Sequence, residues 1–150
     1  MNRLWRVAGF LLIFCPLTLL ADAATIEGRW LTQNRDGWIQ ITIQGDLLEG
    51  SIAGSPNDDE EREFDDRNPD PALRSRRLKG LTIMTGFQSG GDGRWTGGRI
   101  YDPNTGKTYK GTVTRLDANT LKIRGFIGVS LFGRSETWTR DDPERLSDQP

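Results

Sequence analysis

Residues 95–115 read WTGGRIYDPNTGKTYKGTVTR, and they predict two β-strands joined by a tight turn. Pro103 supplies the fixed φ wanted early in a type I turn, and Gly106 the left-handed residue that closes a four-residue loop. Closing Asp102 on Lys107 sets Ile100 opposite Tyr109, Gly98 opposite Gly111 and Thr96 opposite Val113. That face is mostly apolar. The other carries Arg99, Lys110, Tyr101 and Thr112, so turn chemistry and hydrophobic alternation agree on one register. An isolated hairpin is marginal in water, so a larger sheet must surround it.

The flanking sequence supplies that sheet. Residues 25–34 alternate, with Ile26, Gly28, Trp30 and Thr32 on one face, and Arg35-Asp36-Gly37 reads as a turn. Residues 38–44 alternate with Ile39, Ile41 and Ile43 on one side, the period of a half-buried strand. Gly45-Asp46 makes a two-residue hairpin into residues 47–54, with Leu48, Gly50 and Ile52 inward. Residues 81–88 place Leu81, Ile83, Thr85 and Phe87 together. After the central hairpin, a turn at 117–119 leads to a strand over 120–127, with Leu121, Ile123 and Ile127 inward. The last strand is expected over 134–140.

Residues 55–80 interrupt this rhythm. Seven acids between Asp58 and Asp66 are relieved by Arg62, and Arg67, Arg74, Arg76, Arg77 and Lys79 follow. Asp70-Pro71 is a good helix start, with an acceptor at the cap and proline at the first position. A short helix is expected over 71–77, its basic end favoured by the dipole. A connection this long inside a compact domain is functional or disordered.

Eight short strands in sequence, mostly joined by tight turns, form a sandwich or an up-and-down barrel, and the near-continuous meander favours the barrel. The fold class is therefore all-β: an eight-stranded antiparallel barrel with a long charged lid loop containing a short helix. Gly98, Gly111 and Gly125 would relieve crowding where strands bend. Such an interior is either filled by side chains or holds one small ligand.

At the start of the chain, Arg3 and Arg6 precede an apolar run over 7–20 and an Ala21-Asp22-Ala23 site. That pattern predicts a secretory signal over 1–23, too short for a comfortable membrane span. A soluble periplasmic protein without stable membrane insertion is expected, with one domain over 24–140 (lid insertion 55–80) and a frayed tail over 141–150. Without Arg3, Arg6 and Asp22 the chain holds 18 basic and 20 acidic residues, net −2. That balance gives no general attraction to nucleic acid or anionic lipid. The only cysteine, Cys15, lies in the leader, and there is no histidine. Ser-His-Asp and Cys-His catalysis and imidazole or thiolate metal sites are excluded, and no disulfide can help the core.

Two features resemble the calycins, the lipocalin-like barrels. Gly28-Arg29-Trp30 is similar to their G-x-W, and Arg140 to the arginine that stacks on that tryptophan and closes the barrel. A closer resemblance is to the bacterial family known as domain of unknown function 2147. It rests on Asn68-Pro69-Asp70-Pro71, Leu73-Arg74, Leu78, Gly80-Leu81, Gly98-x-Ile100-Tyr101-Asp102-Pro103, Gly106-Lys107-x-Tyr109, Arg124-Gly125 and Trp138-x-Arg140. The resemblance implies a small exported calycin-like protein and assigns it no reaction.

Candidate sites follow from these elements. Tyr101, Tyr109, Arg124, Trp138 and Arg99 could gather at the barrel mouth, where aromatics with a few polar groups suit a partly apolar small molecule; equally, Tyr109 could be core and Arg124 a solvent-facing strand residue. In the lid, Asn68, Asp70 and Arg74 stand out, Asp70 as the helix cap and Arg74 as the partner of a nearby acid. Asp66-x-Asn68-x-Asp70 spaces oxygens as a calcium loop does, but Pro71 replaces the required glycine and the distant glutamate is missing. Asp65 and Asp66 could do acid–base work only if environment split their pKa values, and acids in a charged run stay solvated. The expected protein is a monomer without metal, cofactor or enzymatic activity. Its interior either binds a small molecule or is filled by its own side chains, as in an envelope interaction or stress-response module acting through its charged lid or a sheet edge.

Overall fold

The computed structural model describes residues 25–56, 62–129, 131 and 133–141. The expected leader over 1–23, the acids at 58–61 and the tail beyond Asp141 lie outside these residues. Eight strands follow in order: β1 (Gly28–Leu31), β2 (Trp38–Gln44), β3 (Leu47–Gly54), β4 (Thr82–Ser89), β5 (Arg94–Asp102), β6 (Lys107–Arg115), β7 (Thr120–Phe126) and β8 (Arg134–Arg140). Each pairs antiparallel with the next, and β8 returns to β1, so the sheet closes as an up-and-down barrel. Among the described residues no helix is long and apolar enough to cross a membrane.

The central hairpin keeps its expected register from the turn as far as Gly98 opposite Gly111, with Asp102 on Lys107 and Ile100 on Tyr109. The loop closes through Gly106, at φ +69, whose amide donates to the Asp102 carbonyl. Beyond Gly98 the register slips by one: Trp95, not Thr96, faces Val113. Gly97 sits at φ +79, a conformation open to glycine at little cost, and takes up the extra residue. Gly86, at φ +71, does the same on the neighbouring strand. Leu48 therefore faces Phe87 and Gly50 faces Met84, which turns Met84 inward and leaves Thr85 exposed, against the simple alternation. Paired bulges bend β4 and β5 together, which a small barrel needs somewhere on its circumference.

The lower interior is filled. Trp30, Ile41, Leu48, Met84, Phe87, Val113 and Leu121 are completely buried. Gly98 and Gly111 have no side chain because the Phe87 ring occupies that space: a Cβ on Gly98 would lie within it, and one on Gly111 would come 2.9 Å from Phe87 Cζ. Gly125 is less constrained, its nearest neighbour 3.5 Å from the Cβ position.

The chain ends seal the barrel floor. Only Trp30–Arg140 and Leu31–Thr139 pair across β1 and β8, so side chains complete the seam. Arg140 stacks 4.3 Å from the Trp30 ring centre and donates to the carbonyls of Ala118, Glu27 and Thr25. Trp30 Nε1 donates to the Ile26 carbonyl at 2.9 Å.

Candidate functional site

At the opposite end the β3–β4 connection folds over the rim. Its helix is shorter than expected, a single 3-10 turn over Pro71–Leu73. Asp70 caps it, its Oδ1 accepting from the Ala72 amide at 2.9 Å. The turn cannot run to Arg77, because that residue forms an antiparallel bridge with Phe64 and the Arg76 carbonyl accepts from the Asp65 amide.

That bridge aims Asp65 inward, and the side chain is fully buried. The acidic run is therefore not uniformly solvated, as its composition suggests; Asp66, the next residue, is exposed and paired with Arg62. Asp65 Oδ1 accepts from the Tyr101 hydroxyl at 2.6 Å, and Oδ2 accepts from Asn68 Nδ2 at 2.8 Å and Arg76 Nε at 3.0 Å. Burial alone would raise this carboxyl's pKa, but the bonds from Tyr101, Asn68 and Arg76 outweigh it and hold the group below its ordinary value. Burial, and next the bond to Asp65, push Tyr101 above its ordinary value. With both oxygens occupied, Asp65 is suited to anchoring rather than to proton transfer.

The anchor's cation is Arg76, 2.8 Å from Asp65, rather than Arg74. Arg74 Nε instead donates to the Asn68 carbonyl at 2.8 Å, stiffening the loop internally. Asn68 also donates to the Tyr101 hydroxyl at 2.9 Å. Arg62 and Arg67 reach the carbonyls of Pro103 and Asn104 in the hairpin turn, and Gly106 packs directly on the Arg67 carbonyl. The Asn68-Pro69-Asp70-Pro71 and Ile100-to-Gly106 stretches are thus two halves of one interlock. The three oxygen-bearing residues of the calcium-like spacing turn to different partners: Asp66 to Arg62, Asn68 to Asp65 and Tyr101, and Asp70 to its cap.

Asp65→Asn is expected to open this segment locally by about 2 kcal/mol, raising amide exchange over 62–78 roughly thirtyfold while the barrel strands keep their protection. Equal loss across β2 and β3 would show that the carboxylate holds the whole fold instead. The pH dependence has a definite sign. A depressed carboxyl pKa stabilises above its ordinary value of 3.8 and is lost as pH falls through the folded value. A raised tyrosine stabilises below 10.0 and is lost as pH rises through the folded value. Protection over 62–78, taken against the intrinsic exchange rate at each pH, should therefore stay flat across the neutral range and fall only at the two extremes.

Between rim and lid lies a cavity of about 680 Å³. Ile39, Ile52, Ile83, Ile100, Leu78 and Trp138 give it an apolar floor. Tyr101, Ser55, Arg62, Arg67, Asp36, Asp102 and Glu136 bring polar groups to its rim. Trp138 is 4% exposed and its Nε1 donates to Glu136 at 3.0 Å. Of the five residues suggested for the mouth, the fold brings Tyr101 and Trp138 to this cavity and leaves three away from its described lining. Arg99 is exposed on the outer wall, because it alternates with inward Ile100. Tyr109 is half-buried beside Gly125. Arg124 faces outward, donating to Ser135 Oγ at 3.2 Å. Sequence reasoning named Asp65 only beside Asp66, as an acid expected to stay solvated, and did not single out Arg76, since nothing local separates them from the charges beside them.

A family model described as an uncharacterized protein conserved in bacteria, DUF2147, matches residues 28–140. Among solved structures the chain is similar to protein HP1028 from the human pathogen Helicobacter pylori, described as belonging to the lipocalin family. The two share 21% identity at a TM-score of 0.73, over 83% of this chain and 88% of that one. No curated protein matches the chain.

Proposed function

Because the chain belongs to the DUF2147 family of bacterial proteins and folds as a lipocalin-like barrel, we propose that it is an exported carrier of a small, partly apolar molecule. The observation that supports this is the cavity beneath the lid: its 680 Å³ volume falls in the range of ordinary ligand sites, with an apolar floor and a few polar groups at the rim. In this reading Trp138 and Tyr101 contact the ligand, while Asn68, Asp70 and Arg74 shape the lid above it. No covalent step is involved. The leader over 1–23 directs export to the periplasm, where the protein acts as a monomer.

One observation favours a second reading, an envelope interaction or stress-response module with a side-chain-filled barrel acting through its charged lid: Phe87 and the buried residues around it fill the lower barrel. Native mass spectrometry of protein recovered after export distinguishes the two. Carriage gives a small-molecule adduct, and the apolar dye N-phenyl-1-naphthylamine should brighten on binding and bind about tenfold more weakly to Ile52→Trp, which fills the cavity. A clean apo mass with no dye binding would overturn the carrier reading.

A further inference from the structure

The formal net charge of −1 hides a one-sided distribution. Alternate residues of β5 to β8 face outward, and their registers place Arg94, Arg99, Lys110, Lys122 and Arg124 on that wall. Apart from Tyr101, whose hydroxyl the lid engages, the remaining outward positions are threonine, serine, glycine and Phe126, without one aspartate or glutamate. Arg99 stands directly opposite Lys110, and like charges so placed disfavour the sheet unless an anion lies over them. The basic wall runs into an apolar edge. Phe126 pairs with Lys110, two strand spacings, or roughly 10 Å, from Arg99. The β7–β8 connection that follows exposes Ile127 by 62%, Val129 by 63% and Leu131 by 80%.

We propose that the β5–β7 wall and this connection form a docking surface for an anionic phospholipid bilayer. Cations beside protruding aliphatic side chains are the combination that interfacial binding uses: the cations gain from the surface potential and the aliphatics from shallow burial. A soluble polyanion would satisfy the cations and leave the aliphatics in water. An apolar protein partner would leave the cations without a counter-charge. The β7–β8 connection lies at the same end of the barrel as the lid, so docking brings the cavity mouth toward the lipid. This inference goes beyond the carrier reading and does not depend on it, because vesicle binding is measured with no ligand in the barrel.

The test is co-sedimentation of protein recovered after export, its N-terminus read by mass spectrometry, with phosphatidylcholine vesicles with and without phosphatidylglycerol. Binding should require the anionic lipid and fade in high salt. Each cation near the surface is worth about a fivefold change in partitioning, so Arg99→Glu with Lys110→Glu should weaken binding at least about twentyfold. Ile127→Ser with Leu131→Ser should weaken it severalfold in low salt. All four positions are exposed, and unchanged circular dichroism would show the variants folded. Equal binding to neutral vesicles, no binding, or insensitivity to either pair would overturn the proposal. So would equal retention of wild type and the serine pair on heparin together with weak vesicle binding, which identifies a soluble polyanion as partner.

Discussion

Trp30→Ala is expected to lower stability by about 3–5 kcal/mol, the cost of deleting a large buried aromatic whose site cannot collapse. The indole has no exposed surface, and it is the central piece of the weakest seam. Only two residue pairs join β1 to β8, whereas β2 and β3 pair over seven positions. The seam holds because Trp30 packs inward and supports the Arg140 guanidinium, which ties the Thr25 and Glu27 carbonyls ahead of β1 to the Ala118 carbonyl of the β6–β7 turn. Removing the ring leaves a void and orphans the Ile26 carbonyl that it satisfied. Urea denaturation followed by circular dichroism measures the change. A loss below about 1 kcal/mol would mean that the ring does not close the barrel.

Gly98→Val is expected to cost about 3 kcal/mol, the upper end of ordinary overpacking. The added carbons would enter the Phe87 ring. That ring has nowhere to move: it is fully buried and rests on Gly111 from the other side. Phe87→Ala alone should cost about as much as other buried phenylalanines, 3–5 kcal/mol. Combined, the two changes should cost clearly less than their sum, because each relieves the other. Simple additivity in the double-mutant cycle would show that ring and glycine do not share one space. The pair also explains why the cavity lies high: one aromatic ring occupies the room below.

Much of the barrel was legible because alternation is a local property. The Asp102–Lys107 turn, the inward isoleucines of β2 and the two-residue turn at Gly45-Asp46 follow from backbone sterics and a period of two. So does the meander itself, since each short turn forces the next strand back beside the last. Gly28, Trp30 and Arg140 announced the closure through their resemblance to calycins, although Arg140 lies more than a hundred residues beyond the other two.

The phase of β4 and β5 was another matter. Gly86 and Gly97 could have been plain strand residues, and only the neighbouring strands reveal that they absorb bulges. That single-residue slip puts Met84 and Trp95 inward and leaves Thr85 outside. Asp65 is the sharper case. In sequence it is one acid among many; in the fold it is buried against Tyr101, 36 residues away. The sequence by itself determined which residues form strands, how adjacent strands turn, and that no imidazole is available and the one thiol is at Cys15. Only the tertiary structure decided which acid is buried, where the cavity lies and which wall gathers the cations. Those properties depend on groups distant in the chain meeting in space, and no local period records that.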